Sequence, residues 1–128
     1  MIVYHCSNML FDRVRLDNRV WNLTTHPASG LGMFFDFKSC DYLKGFGKYL
    51  YAIEINDGLI HNIMSIHEFH KFSKIDEDWL FFQEKGRELA KKYDAIFIQE
   101  TNGEIHQGII LNENIVIGLS VTEIQINL

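Results

Sequence analysis

Ala95-Ile96-Phe97-Ile98-Gln99, then Glu100-Thr101-Asn102-Gly103, then Glu104-Ile105-His106-Gln107-Gly108-Ile109-Ile110-Leu111 reads as a β-hairpin. An Asn-Gly pair between two apolar runs is a strong turn signal, because a tight hairpin needs residues that accept positive φ. A helix precedes it. Asp76 or Asp78 can open that helix, and Trp79, Phe82, Gly86, Leu89, Ala90 and Tyr93 recur at spacings of three and four, one apolar stripe running to Tyr93. Further upstream, Ser65-Ile66-His67-Glu68 matches a capping box and predicts a short helix to about Phe72.

Outward from this centre, both ends of the chain read as strand. Ile2–Cys6 is β-rich, Met33–Phe37 follows the Gly30-Leu31-Gly32 punctuation, and Lys48–Ile55 alternates Tyr49, Tyr51, Ile53 and Ile55 against smaller or polar neighbours. Between these runs, residues 7–29 read as loop, and Lys38–Phe46 suits a short helix with Cys40, Leu43 and Phe46 inward. Ile115–Leu128 holds one or two more strands. Strands at both ends with helices between them indicate one α+β domain over residues 1–128, with a mixed sheet. The 128 residues can bury a core without disulfides or metals. The net charge is −5 and the basic residues are scattered, which disfavours a nucleic-acid partner. Two cysteines, no signal-peptide pattern and no apolar run long enough to span a bilayer point to a cytoplasmic protein.

Three segments, in this order, resemble the ADP-ribosyltransferase superfamily, in particular its compact phage-type, poly(ADP-ribose) polymerase-like and diphtheria-toxin-like members. The first is Val3-Tyr4-His5-Cys6-Ser7. The second is Gly30-Leu31-Gly32-Met33-Phe34-Phe35, continuing through Tyr42-Leu43-Lys44-Gly45-Phe46-Gly47 into Lys48–Ile55. The third is Lys92–Ile98 with Gln107-Gly108-Ile109-Ile110-Leu111-Asn112. The resemblance implies two short mixed or antiparallel sheets flanking an NAD cleft, with two or three helices. It also implies NAD as the substrate from which ADP-ribose passes to a macromolecular acceptor, a protein, in phage–host conflict (anti-CRISPR included) or toxin–antitoxin biology.

In such a reaction the glycosidic bond of NAD breaks through a cation-like sugar, so the pocket must stack the nicotinamide, hold ribose hydroxyls and place negative charge nearby. The resemblance assigns these roles by position. His5, with Ser7 after it, donates to a ribose hydroxyl; the bland alternative is a core histidine satisfied by a backbone carbonyl. Phe34 and Phe46 stack the nicotinamide, Phe34 standing where the family commonly has Tyr; simple core packing is the alternative for both. Gly32 lets the backbone approach the ligand, or only shapes a turn. Gln107 stands where the family has its late Glu. An amide hydrogen-bonds a ribose but carries no charge, so Glu100, at the mouth of the hairpin, is the replacement candidate, with Glu104 behind it. The catalytic candidates are thus His5, Glu100 and Gln107.

Other chemistries find less support. His61, His67, His70 and His106 lack the partners and spacing of a metal site. His5 and Cys6 cannot form a nucleophile pair, since adjacent strand residues face opposite ways. No phosphate loop and no Gly-x-Ser-x-Gly elbow is present. Two functional classes follow from the resemblance, an NAD-dependent transferase or a binding module of the same fold without catalysis; a third, an unrelated α+β interaction protein, is removed by nothing in the sequence.

Overall fold

The computed structural model describes residues 1–16, 30–38, 47–73 and 78–124. The expected helix over Lys38–Phe46, with Cys40, Leu43 and the stacking candidate Phe46, lies outside the described residues apart from its first position, as do Asp76 and the last four residues.

Among the described residues, seven strands and two α-helices follow one another as β1 (Ile2–Ser7), β2 (Met33–Asp36), β3 (Tyr49–Ile55), β4 (His61–Ser65), α1 (Ile66–Ser73), α2 (Trp79–Ala90), β5 (Ala95–Gln99), β6 (Ile105–Ile110) and β7 (Val116–Glu123). They make a mixed α+β fold with a single sheet in the order β4-β5-β6-β2-β1-β3-β7. Among the described strands only β4 and β5 run parallel. The connection between them is the α1–α2 pair, the long crossover that parallel neighbours require.

The helix signals act locally. Ser65 Oγ accepts from the Glu68 amide at 3.1 Å and starts α1, while Asp78 Oδ1 accepts from the Phe81 amide at 3.2 Å and caps α2. The Asn102-Gly103 turn closes with Gly103 at φ 88°, and the Asn102 side chain accepts from the Glu104 amide at 3.0 Å. β4 was not expected. Its residues His61-Asn62-Ile63-Met64-Ser65 lack clean alternation, and their pairing with β5 in parallel register is what makes them a strand.

Each face of the sheet carries its own core. On one face Val3, Met33, Phe35, Tyr51, Ile53, Ile55, Phe97 and Ile110 pack with Val14 and Leu16. The 9–16 segment is tied there by Tyr51, which is fully buried. The Tyr51 hydroxyl donates to the Met9 carbonyl at 2.8 Å and accepts from the Phe11 amide at 2.9 Å, and its ring stacks on Phe11 at 4.0 Å between centroids. On the other face Leu31, Phe82, Ile96, Ile109 and Leu111 pack against aromatic residues of α1 and α2. Gly108 separates β2 from β5 on the first face: a Cβ there would meet Phe35 Cζ at 2.5 Å and the Ile96 carbonyl oxygen at 2.6 Å. Among the described residues no helix is long and apolar enough to cross a membrane.

Candidate ligand site at the seam between β1 and β2

The sheet has one weak seam. β1 pairs with β3 over six residues, from Ile2↔Glu54 to Ser7↔Tyr49. β2 pairs with β6 over four, from Met33↔Ile110 to Asp36↔Gln107. Between β1 and β2, among the described residues, one pair is in register, Tyr4↔Asp36. The described sheet therefore consists of a four-stranded half, β4-β5-β6-β2, and a three-stranded half, β1-β3-β7, sharing one registered pair. Two separate sheets were expected. The described strands instead form one, because a single pair is enough to keep the halves continuous.

His5 lies at that seam. Its Nδ1 is 2.6 Å from the Phe34 carbonyl oxygen. A carbonyl only accepts, so Nδ1 carries the proton and, in the neutral ring, Nε2 holds the free lone pair. Burial pushes the His5 pKa below its ordinary value, and the bond to the Phe34 carbonyl opposes that shift only in part. The ring is thus a neutral donor toward β2 and an acceptor at its other nitrogen. The backbone-satisfied histidine weighed from the sequence is present here. With the proton on Nδ1, Nε2 of the neutral ring can only accept, so His5 could not donate to a hydroxyl as the sequence reading expected.

Directly opposed residues on neighbouring strands share a face. His5 opposes Tyr51 and so belongs with the Val3–Tyr51–Phe35 face. Phe34 opposes Ile109, and Asp36 opposes Gln107, on the helix-bearing face. The side chains of His5, Phe34 and Gln107 therefore do not converge from one side. Phe34 and Gln107 share the second face, and His5 reaches the seam from the first.

The remaining candidates are placed as follows. Ser7 ends β1 on the His5 face, and its Oγ accepts from the Met9 amide at 3.0 Å, closing the turn after the strand. Gly32 is buried, and a Cβ on it would collide with the Ile110 carbonyl, so the close approach it permits is to β6. Phe34 is half-buried, its ring meeting Phe69 of α1 edge-on at 5.8 Å. Glu100 follows β5, and its backbone closes the hairpin by accepting from Gly103 and donating to Glu104. It lies three strands from β1 in the sheet order. At about 4.8 Å per strand and 3.3 Å per residue that is roughly 17 Å from His5. Glu104 is taken up by His106 at 2.8 Å.

Sequence reasoning passed over two residues that the register singles out, Tyr4 and Asp36. The signal was a lone carboxylate inside the aromatic run Met33-Phe34-Phe35-Asp36-Phe37. Among the described residues, no group of three or more His, Cys, Asp and Glu side chains is arranged to hold a metal ion. Compared with protein-family models, curated proteins and solved structures, the chain matches none of them.

Proposed function

We propose that this chain is an ADP-ribosyltransferase-type protein that takes NAD at the β1–β2 seam and transfers ADP-ribose to a protein acceptor. The observation that carries this is the seam itself. The reading seats the nicotinamide at the β1–β2 junction, where a single residue pair is in register. A neutral histidine, fixed through Nδ1, offers a ribose hydroxyl its other nitrogen there. On the other face of the sheet, Phe34 of β2 and Gln107 of the neighbouring β6 carry an aromatic ring and a neutral hydrogen-bonding group.

A second reading, a module that binds NAD or a related nucleotide without catalysis, is favoured by two observations. Gln107 carries no charge, and the Phe34 ring is already engaged with Phe69. Calorimetry with NAD and mass spectrometry of lysate proteins incubated with labelled NAD separate the two. The transferase binds and labels; the module binds only. His5→Ala weakens NAD binding by about 1–3 kcal/mol, the cost of losing one partner of a buried polar contact. Absence of NAD binding by the wild type at millimolar concentration overturns both readings.

A further inference from the structure

We infer that β7 is a pairing edge at which a second copy of this chain docks, antiparallel, across a two-fold axis at Ser120. This does not depend on what binds at the seam. The described sheet has two edges, β4 and β7. β4 spans 5 residues and runs straight into α1 at Ile66, which leaves little length for a further strand. β7 spans 8, Val116–Glu123. An outer strand carries a row of unpaired N–H and C=O groups, and proteins guard such rows with charges, prolines, bulges or short length. From Val116 to Thr122, β7 has no charged residue and no proline. Its one charge, Glu123 at the end, is paired at 3.6 Å with Lys48 of its own chain. β7 bulges at Ile117, since Glu54 faces Gly118 and Ile55 faces Val116. Beyond that point Gly118–Glu123 is regular against β3.

Which groups face outward follows from hydrogen bonds at both ends of β3. In an antiparallel ladder a residue turns its N–H and its C=O to the same neighbour, and alternate residues turn to opposite neighbours. The Ile55 amide donates to the Met1 carbonyl at 2.8 Å, on the β1 side, and the Ile124 amide donates to the Lys48 carbonyl at 2.7 Å, on the β7 side. Odd-numbered residues of β3 therefore bond to β1 and even-numbered ones to β7. That leaves Leu119, Val121 and Glu123 with backbone groups turned away from the sheet, where no strand lies among the described residues. Leu119 and Val121 oppose Ile53 and Tyr51 and share their face. Leu119 packs on the core of that face, and Val121 is exposed.

The second copy fits because this edge matches itself. A two-fold at Ser120 sets Leu119 of each copy against Val121 of the other. Both residues turn their backbone groups outward, so each pair exchanges both of its N–H···O bonds. Their side chains carry the apolar row of Ile53 and Tyr51 across the junction and cover the exposed Val121. Glu123 falls at the ends, beside Ile117 of the second copy, so like charges stay apart. A two-fold at Val121 would instead set Leu119 against Glu123, and one at Leu119 would set Val121 against the bulged Ile117. Ser120 opposes Ser120 of the second copy at the close, non-hydrogen-bonded spacing of about 4.5 Å between Cα atoms.

The test follows the mass of the full chain by sedimentation equilibrium from ~10 µM to ~1 mM, because a single strand pair falls at the small, weak end of interfaces. The expected result is a mass that rises from one chain to two and no further. Val121→Pro removes an N–H that the β3 ladder does not use. Its unfolding stays cooperative while dimerisation weakens by at least about tenfold, since the two-fold repeats the lost donor. Ser120→Cys under mild oxidation gives a disulfide-linked dimer that Thr122→Cys and wild type do not, because only position 120 meets itself. A wild type that stays monomeric at the top of the range overturns the inference, as does Val121→Pro that associates like wild type. Growth past two copies overturns an isologous pair. A linked dimer in Thr122→Cys with none in Ser120→Cys overturns the two-fold at Ser120, and the inference with it. If Val121→Pro loses its cooperative transition, Val121→Lys decides, because it sets a charge against Leu119 of the second copy: a monomer supports the inference and undiminished dimerisation overturns it.

Discussion

His5 should make the stability of this protein fall with acid in a definite window. The ring donates from Nδ1 to the Phe34 carbonyl at 2.6 Å, and burial holds its pKa below the ordinary histidine value. The unfolded chain therefore takes up a proton at His5 from about pH 6.5 downward, while the folded chain does not until the pH reaches the lower, folded pKa. In that window the unfolded state binds more protons, so stability rises with pH and is lost as pH falls. For one group the loss between pH 7.5 and 5.5 is at most about 1.4 kcal/mol, because the unfolded histidine is on average only about half protonated across these two pH units and the full slope is about 1.4 kcal/mol per unit. His5→Asn is the comparison. Its amide nitrogen can occupy the place of Nδ1 and donate to the same carbonyl, but it does not titrate. His61, stacked on Phe97, and His106, paired with Glu104, are present in both proteins and cancel in the difference. Urea unfolding followed by circular dichroism at intervals between pH 5.5 and 7.5 gives the two curves. Wild type should lose up to about 1.4 kcal/mol relative to His5→Asn toward pH 5.5. A constant difference, or a wild type that gains on the variant in acid, refutes the neutral, Nδ1-protonated histidine. In that case the short contact to Phe34 belongs to an imidazolium.

Two further predictions concern the scaffold that holds the seam. Tyr51→Phe keeps the ring stack on Phe11 but strips the hydroxyl that bridges the Met9 carbonyl and the Phe11 amide. It should cost about 1–3 kcal/mol, read as a lower urea midpoint with an unchanged slope, and an unchanged midpoint refutes it. Gly108→Ala places a Cβ 2.5 Å from Phe35 Cζ and 2.6 Å from the Ile96 carbonyl oxygen. Because a backbone atom cannot swing aside, the cost lies toward the upper part of the roughly 1–3 kcal/mol seen for overpacking, and a variant as stable as wild type refutes it.

Much of the fold was legible because its signals are local. The Asn102-Gly103 turn, the Ser65 cap and the stripe of α2 each depend on residues within one turn or one strand, and each forms where expected. Of the two candidate caps, the observed one is Asp78, and α2 ends at Ala90 rather than Tyr93. There Asn112 takes over, its amide donating to the Ala90 and Tyr93 carbonyls at 3.0 and 3.1 Å. That stop is set from twenty residues away in sequence and leaves no local trace. β4 escaped for a similar reason, since a five-residue strand with three polar residues is made by its neighbour. The joining of two expected sheets into one runs through one registered pair, Tyr4↔Asp36, and the His5 side chain on the Phe34 carbonyl, links between residues about thirty apart in the chain.

The site was less legible than the fold because a strand has two faces and a sequence names residues without naming sides. Within β2, alternation alone separates Phe34 and Asp36 from Met33 and Phe35, and that much can be read from one strand. Which of these sets meets His5, and which meets Gln107, depends on registers between strands far apart in sequence, and a slip of one residue would exchange them. The registers observed place Asp36 opposite Gln107 and Tyr4, and leave Glu100 in the hairpin. The sequence put the late carboxylate at Glu100 from its place at the mouth of the hairpin; the sheet order sets it beyond β5, three strands from His5, a distance that position along the chain does not reveal.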